Sequence, residues 1–194
     1  MSAASTSERA VSRTREEIVR EAQRVEEASL YSSKAHFKAA EMWGWSHLLL
    51  GLVTVVLAAV AGAKAFSKID ADGTMAGMLS IVVAVLSAVT TFLNPNKKTS
   101  DHLSAGNKYD ALVNKVRIFR TIDCWGESSD QALSAKLKSF SDEKAALNQA
   151  SPQVSFIAYH LAKWGIERGE GGYSVDAKPD NNATPGGGRG PGGA

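Results

Sequence analysis

The sequence predicts an all-α fold: a transmembrane helical hairpin joined to a cytoplasmic helical bundle, with a disordered Gly-rich C-terminal tail. Three observations carry this. Two apolar runs without an ionisable side chain, 48–63 and 75–93, are separated by a short polar stretch. Charge-rich segments with apolar residues at helical spacing flank them on both sides. The chain then ends in a stretch dominated by glycine and proline, with few apolar residues and no periodicity.

Residues 1–7 read as a flexible N-terminus, and Ser5, Thr6 and Ser7 are suitable caps for the helix-favouring segment 8–42, which contains no proline. Val11, Ile18 and Val25 recur every seven residues, with Ala22 and Ala28 beside them, while the other faces are rich in Glu and Arg. A narrow apolar stripe on a charged helix suits packing against a second helix or self-association as a coiled coil.

The run 75–93 is about 19 residues long, enough to cross a hydrocarbon core roughly 30 Å thick at 1.5 Å per residue. The first run is shorter, and Trp43, Trp45 and Phe66 extend it to a span at 43–66 with interfacial aromatics, Lys64 snorkelling at its end. The second span is placed at 75–94. Between them, residues 67–74 supply charges and a glycine for a tight turn in water. The bundle formed by two buried helices of a soluble protein is the competing reading, and two adjacent uncharged runs are hard to hide in so small a chain.

Asn94 and Pro95 break the helix after the second span, and Lys97 and Lys98 mark the return to water. Helices are then expected across 99–168. Thr99, Ser100 and Asp101 cap an amphipathic helix whose apolar line runs His102, Ala105/Gly106, Tyr109, Leu112/Val113, Val116 and Phe119. This line is the natural partner for the stripe of the first helix. A break at 126–130 precedes a helix bearing Leu133, Leu137, Phe140 and Leu147. Ser151 and Pro152 then start a short last helix with Phe156, Ile157, His160, Leu161 and Trp164. The tail occupies 169–194.

Composition restricts the function classes. The 194 residues are 44% hydrophobic and 22% charged, and a mean hydropathy of -0.15 hides how strongly the apolar residues are concentrated at 43–93. A net charge of +2 with acids and bases interspersed excludes a nucleic-acid footprint. The single cysteine, Cys124, excludes an internal disulfide and points to a reducing compartment. The N-terminus lacks the apolar core of a secretory signal. Two spans put both termini on one side. Arg24, Lys34, Lys38, Lys97, Lys98 and Lys108 outweigh Lys64 and Lys68, which favours cytoplasmic termini.

No phosphate-cradling glycine loop, nucleophile elbow or Cys/His pairing is present, so no catalytic residue, cofactor or metal ligand is assigned. His36, His102 and His160 are widely spaced and show no ligand cadence with Cys124 or the carboxylates. His47 reads as an interfacial hydrogen-bonding or packing residue, and Tyr109 as core.

The pre-membrane helix ending in Glu41-Met-Trp-Gly-Trp45, the small-residue-rich first span and the short turn resemble those of the SLATT family of bacterial conflict systems. So do the exit Thr91-Phe-Leu-Asn-Pro95 and the following helix with His102, Gly106 and Tyr109-Asp-Ala-Leu112. The order of elements and the exit motif carry the resemblance, which covers roughly residues 8 to 165. It implies a membrane effector that oligomerises into a pore in the inner membrane and answers a nucleotide-linked or infection signal, causing cell death or dormancy. A separate signal-sensing or nucleotide-second-messenger protein would be its partner.

Both spans carry a stripe of small or weakly polar residues at three-four spacing. Gly51, Thr54, Ala58 and Gly62 form one, and Gly77, Ser80, Ala84, Ser87 and Thr91 the other. Two readings remain open: the stripes pack helix on helix, or they line a pore in an oligomer. Neither span has a central charge, which argues against a proton-coupled transporter or a charge-selective pore. The alternative to a pore is a membrane-anchored helical scaffold that recruits a partner.

Overall fold

The structure is a computed structural model describing residues 2–66, 73–126 and 128–169, with side chains from residue 13 onward. The charged turn at 67–72, the side chain of Val11 and the tail from 170 lie outside the described residues. No strand occurs among the described residues.

Helix α1 (Ser2–Ala65) is continuous over 64 residues. It joins the charged N-terminal segment to the first apolar run without interruption. It contains no proline, and its isolated glycines, at 44, 51 and 62, each weaken a helix by only about 1 kcal/mol relative to Ala.

Helix α2 (Thr74–Leu93) follows Gly73, whose positive φ of 70° suits a residue without a Cβ. At 20 residues it is about 30 Å long. It ends at Asn94, which adopts a left-handed conformation (φ 44°, ψ 61°). Asn94 caps two helices at once: its N–H donates to Thr90 O at 3.1 Å, and its Oδ1 accepts from the Lys97 N–H at 3.2 Å. Pro95, which has no N–H to satisfy, occupies the first turn of α3 (Pro95–Thr121). The helix therefore restarts four residues ahead of the cap expected at Thr99, and the Thr99 hydroxyl instead donates back to Pro95 O.

A 3₁₀ turn (Asp123–Trp125) leads to α4 (Asp130–Ala150), capped by Ser129, whose Oγ accepts from the Ala132 N–H. The last helix, α5 (Phe156–Glu167), starts later than the expected Ser151-Pro152. Ser151 and Ser155 are extended, and Ser155 is the cap that closes onto the Ala158 N–H. A side-chain acceptor at Ser155 decides this boundary over the proline.

Helix α3 runs antiparallel to α1, as the pairings of His47 with Asn96, Ser33 with Gly106 and Glu26 with Arg120 show, and α2 also packs on α1. Away from the apolar runs, Ile18, Ala22 and Val25 of α1 meet Leu112, Val116 and Phe119 of α3, and Leu133 and Phe140 of α4 close the core. Phe119 and Phe140 pack edge to face with centroids 5.4 Å apart. The partly buried Arg120–Glu26 pair (2.7 Å) flanks this core. Arg15 clamps the connection to α4, reaching Ser128 O at 2.9 Å and the Asp130 carboxylate at 3.2 Å.

The apolar part of α1 and the whole of α2 are packed quite differently. Both are long and apolar enough to cross a membrane, and only 6% of the most apolar window of each is buried. The core helix of a soluble protein would be mostly covered. Here Leu52, Val55, Val56, Met78, Ile81 and Val85 are all exposed.

Candidate functional site

Two regions carry chemistry: the surface of the apolar helix pair, and a polar layer where that pair meets the bundle. Along the apolar pair, the least exposed positions are Leu50, Gly51, Thr54, Leu57 and Ala61 on α1. On α2 they are Ala76, Leu79, Val83, Leu86 and Thr90. These mark the seam between the two helices. Gly51 and Thr54 belong to it, whereas Ala58 and Gly62 are exposed. On α2 the stripe Gly77, Ser80, Ala84, Ser87 and Thr91 lies one position round from the seam and is exposed throughout. Several hydroxyls on the pair bond within their own helix: Thr54 donates to Leu50 O, Ser80 to Ala76 O and Thr91 to Ser87 O, at 2.7 to 2.9 Å. Such back-bonding lets a hydroxyl face an apolar medium without an unsatisfied donor.

At the junction, Lys98 Nζ lies 4.9 Å from the centroid of the Trp43 ring, and Lys97 pairs with Asp101 at 2.7 Å. Trp45 and Phe66 are exposed at opposite ends of the first apolar run. Asn96 Nδ2 lies 3.3 Å from His47 Nε2, while His47 Nδ1 is buried without a hydrogen-bond partner in the protein.

Just below, on the bundle side, Ser29, Ser33, His36 and His102 form a buried polar layer. Ser33 donates to Gly106 O at 3.1 Å, and Ser29 to Val25 O at 2.7 Å. The two histidines, separated by 66 residues in sequence, place their Nδ1 atoms 3.0 Å apart. Spacing along the chain had separated them; antiparallel packing of α1 on α3 joins them. One Nδ1 must donate and the other accept, so one proton lies in the contact and the accepting ring carries its own proton on Nε2. Burial pushes the His36 pKa down to about 4, with the charge of His102 adding to it. Burial also lowers that of His102, against a smaller upward pull from Asp101. The Tyr109 ring stacks on His36 with centroids 5.5 Å apart, and its hydroxyl donates to Asn148 Oδ1 at 2.7 Å. Tyr109 is thus core by its ring and polar by its tip.

Crevices open around this layer. One of about 660 Å³ is lined by Trp43, Ser46, Lys98, His102 and Ile157 among others, and one of about 530 Å³ by Tyr31, His36, Tyr109, Asn148 and Tyr159. The extended segment at 151–155 separates them.

Among the described residues, no three or more His, Cys, Asp or Glu side chains converge to hold a metal ion. Cys124 is fully buried, and burial followed by the Asp123 charge raises its pKa, so the thiol is not poised as a nucleophile. The remaining seam residues Ile18, Val25, Leu112, Val116 and Phe119 are all buried in the bundle. No family model, curated protein or solved structure matches the chain.

Proposed function

We propose that the chain is an integral membrane effector that oligomerises into a pore. In this reading α1 from Trp43 onward and α2 cross the bacterial inner membrane as a hairpin. The bundle of α1, α3, α4 and α5 lies on the cytoplasmic side with both termini. Pore opening would follow a nucleotide-linked or infection signal relayed by a separate protein, as the SLATT resemblance implies. One observation supports the reading above all. The Ser80–Ser87–Thr91 face of α2 is exposed and lies outside the seam with α1, so it is free to meet another copy or a water-filled lumen. With no charged residue on that face, the conduit would be hydroxyl-lined and weakly selective.

A second reading is a membrane-anchored scaffold. It draws on Ile118, Ile122 and Trp125, each at least half exposed at the end of the bundle remote from the apolar helices, where a partner protein could dock.

Dye release from liposomes reconstituted with the full-length chain, beside a variant lacking residues 75–93, tests the pore. Release by the intact chain alone supports it. Silence that persists with lysate from infected cells, while the protein still captures a partner, favours the scaffold.

A further inference from the structure

We propose that α5 is an interfacial helix, lying on the bilayer surface with Ile157, Leu161 and Trp164 inserted at the boundary between headgroups and acyl chains. The inference rests on the reading of the apolar helices as membrane spans, and goes beyond it by adding a third membrane-contacting element.

The geometry comes from three faces of one 12-residue helix. Ala158, Ala162 and Gly165 are buried and pin α5 to α1, small residues allowing close approach of the two backbones. About a quarter turn away, Ile157, Leu161 and Trp164 repeat at i, i+4 and i+7 and are 59%, 43% and 53% exposed. Leu161 and Trp164 share a crevice with Met42, Trp45 and Ser46, where the apolar run of α1 begins. Ile157 shares another with Trp43 and Ser46. On the opposite side, Tyr159 shares a crevice with Ala28, Tyr31 and Ala35, well down the bundle. Helix α5 therefore lies crosswise on α1, with one edge toward the apolar pair and the other toward the bundle.

Its upper edge meets the exposed Trp45, above which Leu48, Leu49 and Leu52 are exposed on α1, and Lys38 and Glu41 line the same crevice on the bundle side. A surface that is apolar on both elements at one level calls for one apolar medium. Chemistry at the rim fits lipid. The Arg168 guanidinium lies 3.4 Å from the Trp164 ring centroid, which puts a cation beside an aromatic at the headgroup level. Lys163 is exposed on the outward side, 3.8 Å from Glu167, as expected of a face in water.

The test uses the full chain in phosphatidylcholine vesicles containing phosphatidylglycerol, carrying one nitroxide label at a time at Leu161→Cys, Lys163→Cys, Val56→Cys or Lys138→Cys. Cys124, fully buried, stays in place. Collision with oxygen reports lipid exposure, and collision with a charged nickel chelate reports water. We expect 56 and 161 to favour oxygen, 56 being deeper, and 163 and 138 to favour the chelate. If 56 is in lipid while 161 behaves like 138, the α5 proposal is overturned and the spans stand. If 56 itself is aqueous, the membrane reading falls and takes α5 with it. Shielding of 161 from both reagents, with dipolar broadening between labelled chains, would assign the face to a second copy and overturn the proposal.

Discussion

His36 and His102 face each other through their Nδ1 atoms at 3.0 Å in a buried layer between the apolar helix pair and the core of the bundle. A hydrogen bond between the two Nδ1 atoms needs one of them unprotonated, so the accepting ring cannot gain a proton there without setting N–H against N–H. The groups nearest the pair offer little to hold a positive charge: Tyr109 stacks on His36, and at His102 Asp101 favours protonation while Lys98 opposes it.

This layer makes the bundle acid-sensitive. His36 stays neutral in the fold down to about pH 4, whereas its ordinary pKa is 6.5. Between those values the unfolded chain binds more protons than the folded one, so stability falls as pH is lowered through that window and is indifferent to it above. Melting followed by circular dichroism in detergent should show this loss, and His36→Gln should flatten it. Parallel losses in the two proteins would reject the assignment.

Gly106 of α3 lies tight against α1, its carbonyl accepting from Ser33. A Cβ there would stand 2.8 Å from Phe37 Cε1, so the ring would have to move. Gly106→Val should cost about 1–3 kcal/mol by overpacking, and adding Phe37→Ala should return part of it. Denaturant titration of the double-mutant cycle measures the coupling, and additive effects would show that the contact does not matter.

Neighbouring positions on α3 should differ sharply. Phe119 is fully buried and packs on Phe140, so Phe119→Ala should destabilise by about 3–5 kcal/mol. Ile118 is half exposed, and Ile118→Ala should stay within about 0.5 kcal/mol. Equal losses in thermal unfolding would contradict the orientation of α3.

If the exposed stripe of α2 lines a pore, replacing Ser80 and Ser87 with Ala and Thr91 with Val should abolish dye release while leaving helix content and membrane insertion unchanged. Retained release would remove the stripe from the pore-lining assignment. The seam substitution Leu86→Ala should instead lower stability, since it loosens α1 against α2.

The helical class and the two long apolar helices were readable from residues alone, because charge-free runs and three-four spacing are local properties of the chain. The apolar line on α3 was equally plain: Tyr109, Leu112, Val116 and Phe119 are all buried. Boundaries were less secure. Asn94 hands one helix directly to the next through a left-handed cap, and Ser155 outcompetes Ser151-Pro152 as the start of α5. Each is a choice between nearby caps whose energies differ by about a kcal/mol. The His36–His102 contact and the seating of α5 on α1 had no local signal at all. They depend on the register of α1 against α3 and on which face of α1 receives Ala158 and Ala162. The outward turn of the Ser80–Thr91 stripe has the same origin. A small-residue stripe marks a face without naming its neighbour, and packing of the whole chain set the seam one position away. Periodicity is written within a helix, whereas registry between helices is settled by long-range packing across many residues at once.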